Sequence, residues 1–377
     1  MDNSALIELT KKLLSFNTIN PPGNEEGIAR FCAELLSADG FEVRLPEFEP
    51  GRLHLIAEKG ITSHKAPVVF SGHFDVVPLG AAEWTTDPFG GEVRDGKIYG
   101  RGSGDMKGGV AAMMLAAMDA FREGTSECGV RLIFTAAEEL GCKGIEQLVK
   151  SSAEIGQASA LIIGEPTSNM PATGHKGAIY MNAVTKGKTA HSSMPHLGEN
   201  AIYKAAESVL KARDFRFNVQ EDPLLGYPTI NVGKISGGLN LNSVPDHAEF
   251  TIDIRTTSKT NHEETLNRLA HELGTETNLE VLVNMTSVHT NEDEPFVRLV
   301  YDICGISRGS QGFPKALPYL TDGSVLQKAY NGVPAVILGP GEPEMAHKTD
   351  EYCYVNKLEE AYRIYKNIIL KWRNYIC

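Results

Sequence analysis

The first 170 residues alternate between short apolar runs and amphipathic segments. Two helices are predicted to open the chain, and the second follows from apolar residues at helical spacing between Asn24, the expected N-cap, and Gly40. The segment 107–123 predicts a further helix. Five apolar runs predict strands: 41–45, 54–58, 66–72, 130–136 and 160–166. This alternation predicts an α/β fold, in which the functional site lies where strands end and loops begin.

The pattern changes after Gly174. Strands are predicted at 178–187, 229–238 and 247–256, with helices near 200–212 and 260–273. The last of these strands alternates apolar and polar residues, as a sheet with one exposed face does. We therefore predict a smaller α+β domain at 175–286, inserted into a larger domain formed by 1–174 and 287–377. The α/β pattern resumes near Glu294, with a strand at 334–341 and a final helix from about Val355.

Composition narrows the class of protein. The chain has 377 residues, 42% of them hydrophobic and 22% charged, which is typical of globular proteins and suggests two or three domains. A net charge of −12 without a basic stripe makes nucleic acid an unexpected partner. No apolar run approaches the roughly 20 residues that span a bilayer, so we expect no membrane association.

The N-terminal segment and the cysteines suggest a location. The first fourteen residues lack the basic stretch, apolar core and cleavage site of a signal peptide. The chain has six cysteines, at positions 32, 128, 142, 304, 353 and 377, and none forms a CxxC pair. Reduced thiols in the cytoplasm fit this spacing better than a disulfide framework.

The segment SGHFDVVP (71–78) is the strongest local signal for chemistry. Side chains alternate along a strand, so His73 and Asp75 point the same way. A histidine that binds a metal ion commonly has a carboxylate nearby that orients its ring. Taken alone, a purely structural His–Asp pair is an equal alternative.

A glycine-rich loop, GRGSGDMKGG (100–109), precedes a predicted helix. It lacks the GK[ST] ending of a phosphate-binding P-loop and the GxGxxG register of a dinucleotide site. One carboxylate remains, Asp105, on backbone that glycines readily permit. Asp105 could bridge two metal ions, although an ordinary helix cap is the simpler interpretation of this loop alone.

Three further strands end in acidic or histidine side chains. Glu138 and Glu139 follow a strongly apolar strand, Glu165 follows another, and His347 lies in a loop after a third. Two adjacent carboxylates at a buried strand end require a compensating cation, unless the strand has simply reached solvent. A metal ion would compensate them, and the second carboxylate could then accept a proton from a metal-bound water.

The conjunction of these residues is more specific than any one of them. Strand ends on one edge of a sheet converge in space, so the five positions are expected to meet. Histidine and carboxylate ligands without paired cysteines suit zinc, cobalt or manganese in a hydrolytic site. The sequence thus predicts a metallohydrolase.

These stretches closely resemble the acetylornithine deacetylase and succinyl-diaminopimelate desuccinylase family, which is related to aminoacylases and zinc carboxypeptidases. The resemblance runs through SGHFDVVP, GRGSGDMKGG, the Glu138-Glu139 pair, GEPT and the terminal AHKTDEY, in order along the chain. It implies a catalytic α/β/α domain with a mixed sheet and a smaller α+β domain that acts as lid and dimerisation domain.

The resemblance also implies a centre with two divalent metal ions. His73 and Glu165 would bind one ion, Glu139 and His347 the other, and Asp105 would bridge them. Zinc is the first candidate, and cobalt or manganese suits the same ligands.

Catalytic roles follow from the same resemblance. Asp75 would support His73, and Glu138 would be the general base that activates the water shared by the metals. Family members often have a cis peptide after the bridging aspartate, here Asp105.

The inserted domain acquires a role through the resemblance as well. In the family it forms the dimer and lends a histidine to the partner's active site, where it stabilises the oxyanion. The segment 185–201 matches that region, with His191 at the matching position and His196 as the competitor. A homodimer through this domain is expected.

The stretch 242–255 matches the family segment whose asparagine and arginine contact substrate. These residues are Asn242 and Arg255 here, and a guanidinium suits a carboxylate because it donates two parallel hydrogen bonds. A surface strand arginine is the alternative for Arg255. The expected substrate is a small N-acylated amino acid or a short peptide.

Several alternatives stay open at the level of sequence. A dipeptidase or carboxypeptidase could use the same metal centre, and a non-catalytic binding protein could retain the fold. The segment 312–326 is expected to line the substrate pocket, but it does not identify the acyl group or the amino acid. Cys142, close to the glutamate pair, is expected to be structural.

Overall fold

The computed structural model describes residues 3–62, 65–124, 129–150, 155–307 and 315–376. These residues form two compact units. The larger is drawn from Met1–Gly174, His289–Leu317 and Thr321–Cys377, and the smaller from His175–Val288 with Pro318–Leu320. The second domain boundary predicted from sequence, 286/287, lies two residues before the division at 288/289.

Helices occur in both units. Their bounds are α1 Asn3–Leu14, α2 Glu26–Ala38, α3 Lys107–Arg122, α4 Lys143–Lys150, α5 Ala201–Asp214, α6 His262–Leu273, α7 Pro295–Ile303, α8 Gly323–Ala329 and α9 Val355–Ile376. The final helix begins at the residue predicted from sequence, whereas α4, α7 and α8 were not predicted.

The strands are mostly short outside the smaller unit. Their bounds are β1 Glu42–Arg44, β2 Glu47–Glu49, β3 Arg52–Leu53, β4 Leu55–Lys59, β5 Val68–His73, β6 Val93–Arg94, β7 Lys97–Tyr99, β8 Val130–Thr135, β9 Ala160–Ile163, β10 Gly174–His175, β11 Gly177–Lys186, β12 Thr229–Gly237, β13 His247–Thr256, β14 Thr277–Met285, β15 Val288–His289, β16 Ala316–Leu317, β17 Ala335–Ile337 and β18 Tyr352–Tyr354.

A six-stranded sheet in the order β1-β4-β8-β5-β9-β17 organises the larger unit. The strands β8, β5, β9 and β17 run parallel to their neighbours, and β4 and β1 extend the sheet in antiparallel pairing. The C-terminal ends of the four parallel strands therefore lie side by side at one edge. His73 ends β5, and Glu138 with Glu139, Glu165 and His347 follow β8, β9 and β17, whereas Asp105 follows β7 of another sheet.

Both faces of this sheet are covered. Val68 and Phe70 point into the main core, which also contains residues of α3 and α9. Val69, Ile133 and Leu161 point to the other face and are fully buried as well. Burial on both faces explains why the central strands read as continuous apolar runs. The mixed sheet with helices confirms the predicted α/β class.

The start of α2 differs from the prediction. The N-cap is Glu25, not Asn24, and its side chain makes no capping hydrogen bond. The carboxylate of Glu25 instead forms a two-pronged ion pair with Arg52, with N···O distances of 2.9 and 2.6 Å. The first helical N–H, on Glu26, is satisfied by the carbonyl of Gly51.

The smaller unit contains an antiparallel sheet in the order β12-β13-β11-β14, with α5 and α6 packed against it. The strand β13 alternates buried and partly exposed residues, as predicted from its period of two. The strand β14 was not predicted, because its burial does not alternate. Between Tyr180 and Met181 of β11 the pairing skips Leu282 of β14, and this extra residue in β14 accounts for the broken pattern.

Two further expectations concern membranes and thiols. Within the described residues, no helix combines the length and the apolar character needed to cross a membrane. The thiols of Cys32, Cys142, Cys304 and Cys353 are free. The other two cysteines, at 128 and 377, lie outside the described residues.

The Glu25–Arg52 pair yields a prediction about stability. The substitution Arg52→Ala should lower the free energy of unfolding by about 3–5 kcal/mol, because it leaves a buried carboxylate unpaired. Arg30→Ala is the matched control, since it breaks the exposed pair with Glu26 and should cost less than about 1 kcal/mol. Urea denaturation measures both, and equal losses would contradict the prediction.

Candidate metal centre

His73 is the last residue of β5, and its ring is held by the backbone just beyond it. Its Nδ1 lies 2.9 Å from the carbonyl oxygen of Asp75. A carbonyl only accepts, so Nδ1 carries a proton and donates. This leaves Nε2 as the atom that faces Asp105, at 3.1 Å from Oδ1, and Glu165, at 3.7 Å from Oε1. The ring is thus oriented as a metal ligand through Nε2.

Asp75 supports the site in a different way from the one expected. Its carboxylate lies 3.7 Å from Nδ1 of His73, beyond hydrogen-bond distance. The carboxylate accepts instead from the backbone N–H groups of Glu138 and Glu139, both at 3.1 Å, and from Nδ2 of Asn20, at 2.8 Å. Asp75 therefore ties the end of β5 to the loop that carries the glutamate pair.

Asp105 lies between the two histidines. Its Oδ1 faces His73, and its Oδ2 is 3.5 Å from Nε2 of His347. The peptide bond from Asp105 to Met106 is cis, as the family resemblance implies. Because its two oxygens face different histidines, the side chain of Asp105 can belong to two ligand clusters at once.

The predicted ligands form two groups that share Asp105. One group is His73, Asp105 and Glu165, and the other is Asp105, Glu139 and His347; within each group the ligand atoms lie within 4.8 Å of one another. His347 Nε2 is 3.2 Å from Oε1 of Glu139. All five predicted ligand positions thus converge at the sheet edge, and His347, 55% exposed, marks its solvent side.

The charges in this cluster perturb one another strongly. Burial, with the nearby carboxylates adding to it, raises the pKa of Glu165 well above its usual range and also raises the pKa of Glu139. Hydrogen bonds to Asp105 and Glu139 raise the pKa of His347 to about 10. Burial opposes protonation of His73, but its bond to Asp105 and the surrounding carboxylates raise its pKa well above normal. The cluster holds more negative charge than its histidines balance.

The donor set fits divalent metal ions. Two donors held about 2.1 Å from one zinc ion at tetrahedral angles lie about 3.4 Å apart. The histidine–carboxylate separations within the two groups, between 3.1 and 3.7 Å, match that spacing. Imidazole nitrogen and carboxylate oxygen without thiolate are the ligands expected in hydrolytic centres. A cation in each group would also relieve the repulsion among the carboxylates.

Glu138 lies beside this cluster but belongs to neither of the two groups. It is buried, and burial together with the charge of Glu165 raises its pKa well above the usual range. Its Oε1 is 3.4 Å from Sγ of Cys142. Glu138 therefore occupies a suitable position for a proton acceptor next to the ligands.

Sequence reasoning missed Glu351, which fixes the loop that carries Asp105. Its buried carboxylate accepts from the backbone N–H groups of Gly102, Gly104 and Asp105 at 2.9–3.0 Å, and from Arg101 at 2.7 Å. Glu351 lies inside the terminal stretch AHKTDEY. Only its position near His347 could have indicated a role, because a buried glutamate cannot be told from an exposed one in a loop.

The predicted residues of the smaller unit fall into two places. His191 pairs with Ser243 as an isolated bridge, and the N–H of Ser192 donates to the carbonyl of Asn242 at 3.0 Å. His191 and Asn242 are thus neighbours, and both are exposed, as is His196 in the turn Pro195–Leu197. Arg255 lies near the C-terminal end of β13, whereas Asn242 precedes the N-terminal end of that strand.

Arg255 has a local partner on its own strand. Its guanidinium is 2.9 Å from the carboxylate of Asp253 and lies over the ring of Tyr180, 5.2 Å from the centroid. The nearby ammonium of Lys176 donates to the carbonyl of Tyr227. Burial and the charge of Arg255 lower the pKa of Lys176. Two cationic groups therefore lie near each other here.

This fold and this donor set are those of a metal-dependent hydrolase of amide bonds. The chain belongs to peptidase family M20/M25/M40, whose family model matches residues 69–371.

Proteins similar to this chain are named as deacylases and as a peptidase. A probable succinyl-diaminopimelate desuccinylase of Staphylococcus epidermidis is 30% identical over 96% of this chain and 96% of its own length. An acetylornithine deacetylase of Vibrio vulnificus is 28% identical over 93% of this chain and 94% of its own. A family M20 metallo-carboxypeptidase from Sulfolobus solfataricus is 19% identical and shares the fold, with a TM-score of 0.81 over 99% of this chain and 100% of its own.

The contacts of Glu351 yield a second prediction. Glu351→Gln should weaken metal binding by about 10- to 100-fold, because an amide NH₂ would replace one of two oxygens that now accept only N–H bonds. The measurement is calorimetric titration of the metal-free protein with Zn²⁺ or Co²⁺.

Asp350→Asn is the matched control for Glu351→Gln. Asp350 caps the N–H of Thr85 at 2.8 Å, and asparagine retains that acceptor. The control should bind metal normally. Unchanged affinity in a folded Glu351→Gln protein would show that the loop does not need this carboxylate.

Proposed function

We propose that this enzyme hydrolyses the amide bond of an N-acyl amino acid at a centre of two metal ions. The observation that carries the proposal is the pair of ligand groups sharing Asp105, with Glu138 beside them. The relatives named as desuccinylase and deacetylase, which match along nearly the whole chain, support this substrate class. Cleavage of a dipeptide or of a C-terminal residue is the alternative.

The ions would be bound by His73 and Glu165 on one side and by Glu139 and His347 on the other, with Asp105 between them. Zinc is our first choice, and cobalt or manganese would fit the same oxygen and nitrogen donors. When bound, such ions supply Lewis acidity that polarises a carbonyl and makes a coordinated water acidic near neutral pH.

Glu138 is proposed to move the proton. It accepts a proton from the attacking water, whose oxygen bonds to the amide carbon, and later donates it to the departing amine as the C–N bond breaks. Its burial and raised pKa support this role, because a base that also returns the proton needs a pKa not far from the working pH. Asp75 would keep it in place through the backbone.

Substrate recognition is assigned to the smaller unit. Arg255, with Lys176 nearby, offers positive charge and parallel N–H donors suited to the carboxylate of an amino acid. The same guanidinium now pairs with Asp253, which would hold it extended until substrate competes for it. Asn242, a neighbour of His191, would add an amide contact from the other end of the unit.

A homodimer would explain how Arg255 and His191 could both contact substrate although they lie at different ends of the smaller unit. Arg255 and His247 are eight positions apart on β13, about 27 Å along an extended strand, and His191 lies beyond the His247 end. One substrate cannot reach both ends within one chain. His191 and its neighbour Asn242 would therefore serve the partner's active site, where His191 stabilises the oxyanion.

The smaller unit also presents a surface suited to dimerisation. The strand β12 is an edge of its sheet, and Ile235 on it is half exposed. Leu239 and Leu241, just after the strand, are almost fully exposed. An exposed strand edge with apolar side chains readily pairs with a second copy. We also propose a cytoplasmic location, in keeping with the free thiols described above.

The first experiment tests the reaction class. Purified protein should cleave N-acetyl-ornithine or N-succinyl-diaminopimelate in the presence of zinc or cobalt, and chelator should abolish the activity. A simple dipeptide belongs in the same panel, because cleavage of it alone would favour the peptidase alternative. Cleavage that survives complete metal removal would overturn the proposal.

Glu138→Gln provides the control within the site. The amide keeps the shape of the side chain but cannot accept the proton, so kcat should fall by about 10²- to 10⁴-fold with metal content unchanged. Near-normal turnover with both metals bound would remove Glu138 from the mechanism.

Mixing two inactive variants tests the dimer. The protein should sediment at twice its chain mass of 41.0 kDa. Dimers that combine a His191→Ala chain with a Glu138→Gln chain should contain one intact active site, so that random mixing restores about a quarter of full activity. If His191 acts within its own chain, the mixture stays inactive.

A further inference from the structure

Cys142 occupies a backbone conformation that a side chain rarely adopts. Its φ is +60°, in the region that favours glycine. It closes a tight turn that begins at the candidate base, because its N–H donates to the carbonyl of Glu138 at 2.7 Å. A side chain retained at such a position suggests a compensating contact.

The thiol makes that contact with the candidate base. Sγ of Cys142 lies 3.4 Å from Oε1 of Glu138. Asp322 lies behind them, and the ligand atoms of the three side chains are within 4.8 Å of one another. Asp322 is itself held by the hydroxyl of Thr135, the last residue of β8, at 2.5 Å. The thiol is thus enclosed between two carboxylates.

This environment keeps the thiol protonated. Burial, and then the charges of Glu138 and Asp322, raise the pKa of Cys142 well above its usual value. A thiol that retains its proton is a hydrogen-bond donor and a poor nucleophile. Both neighbouring carboxyl groups can accept from this S–H group, and the contact with Oε1 of Glu138, at 3.4 Å, is the one on which the inference is built.

We propose that Cys142 is a positioning residue for Glu138, whose carboxylate it holds by S–H donation to Oε1. The other oxygen, Oε2, then keeps a fixed orientation for proton transfer. The inference rests on the proposed role of Glu138 as general base. It goes further than the expectation from sequence that Cys142 is structural.

Three substitutions at this position separate the donor from the backbone. Cys142→Ser keeps a donor of similar reach and should stay within about twofold of wild-type kcat. Cys142→Ala and Cys142→Gly lose the donor, and their kcat should fall about three- to tenfold with KM and metal content unchanged. Cys142→Gly also suits the positive φ, so its melting temperature should exceed that of Cys142→Ala.

Cys32→Ala is the matched control. It removes an equally buried thiol of α2 that makes no contact with Glu138, and its kcat should not change. The proposal fails if Cys142→Gly and Cys142→Ala turn over as fast as Cys142→Ser. It fails equally if Cys142→Ser loses as much activity as Cys142→Ala.

A spectroscopic test does not depend on finding a substrate. The S–H stretching band of Cys142, identified by its loss in Cys142→Ala, should lie at a lower frequency than that of a free thiol. Glu138→Ala should move the band to the free-thiol frequency, whereas Asp322→Asn should leave it nearly unchanged. An S–H frequency that does not change in Glu138→Ala would overturn the proposal. The expected shift in a protein that cleaves nothing in the panel would contradict only the proposed function.

Discussion

The main physical constraint on this protein is the crowding of carboxylates at one edge of a buried sheet. Asp105, Glu138, Glu139 and Glu165 meet where parallel strands end, and most of their side-chain surface is removed from water. Like charges in such a place raise each other's proton affinity or require cations. The histidines can balance part of this charge only while they are protonated and bind no ion, whereas the donor geometry suits divalent ions that would balance more of it.

Two other carboxylates hold irregular loops in fixed positions. Asp75 and Glu351 are fully buried, and each accepts hydrogen bonds mainly from backbone N–H groups. Each satisfies several N–H donors that an irregular loop would otherwise leave unpaired. They connect segments distant in sequence: Asp75 holds the loop of Glu138, and Glu351 holds the loop of Asp105. If the proposed function holds, chemistry and positioning are divided between different acidic residues.

This division explains what could be predicted from sequence. Strand ends can be predicted from apolar runs, so the convergence of His73 and the glutamates followed from the predicted sheet, whereas Asp105 was indicated by its glycine-rich loop and the family resemblance. The hydrogen-bond partners of a buried carboxylate cannot be predicted from sequence, since Glu351 resembles any other polar loop residue there. For the same reason the ion pair between Glu25 and Arg52 could not be predicted. The helix has its N-cap at Glu25 and not at the expected Asn24. The strand β14 was missed because its extra residue, Leu282, interrupts the alternation on which such predictions depend.

Glycines determine how closely the loops around the centre approach one another. A Cβ added to Gly341 would lie 2.3 Å from the carbonyl oxygen of Gly104, and one added to Gly339 would lie 2.1 Å from that of Gly164. Three loops, which carry Asp105, Glu165 and His347, therefore pack backbone against backbone. Contacts between backbones allow much less adjustment than contacts between flexible side chains. The glycines of the motifs thus set the separations between the ligands, and the ligands supply the chemistry.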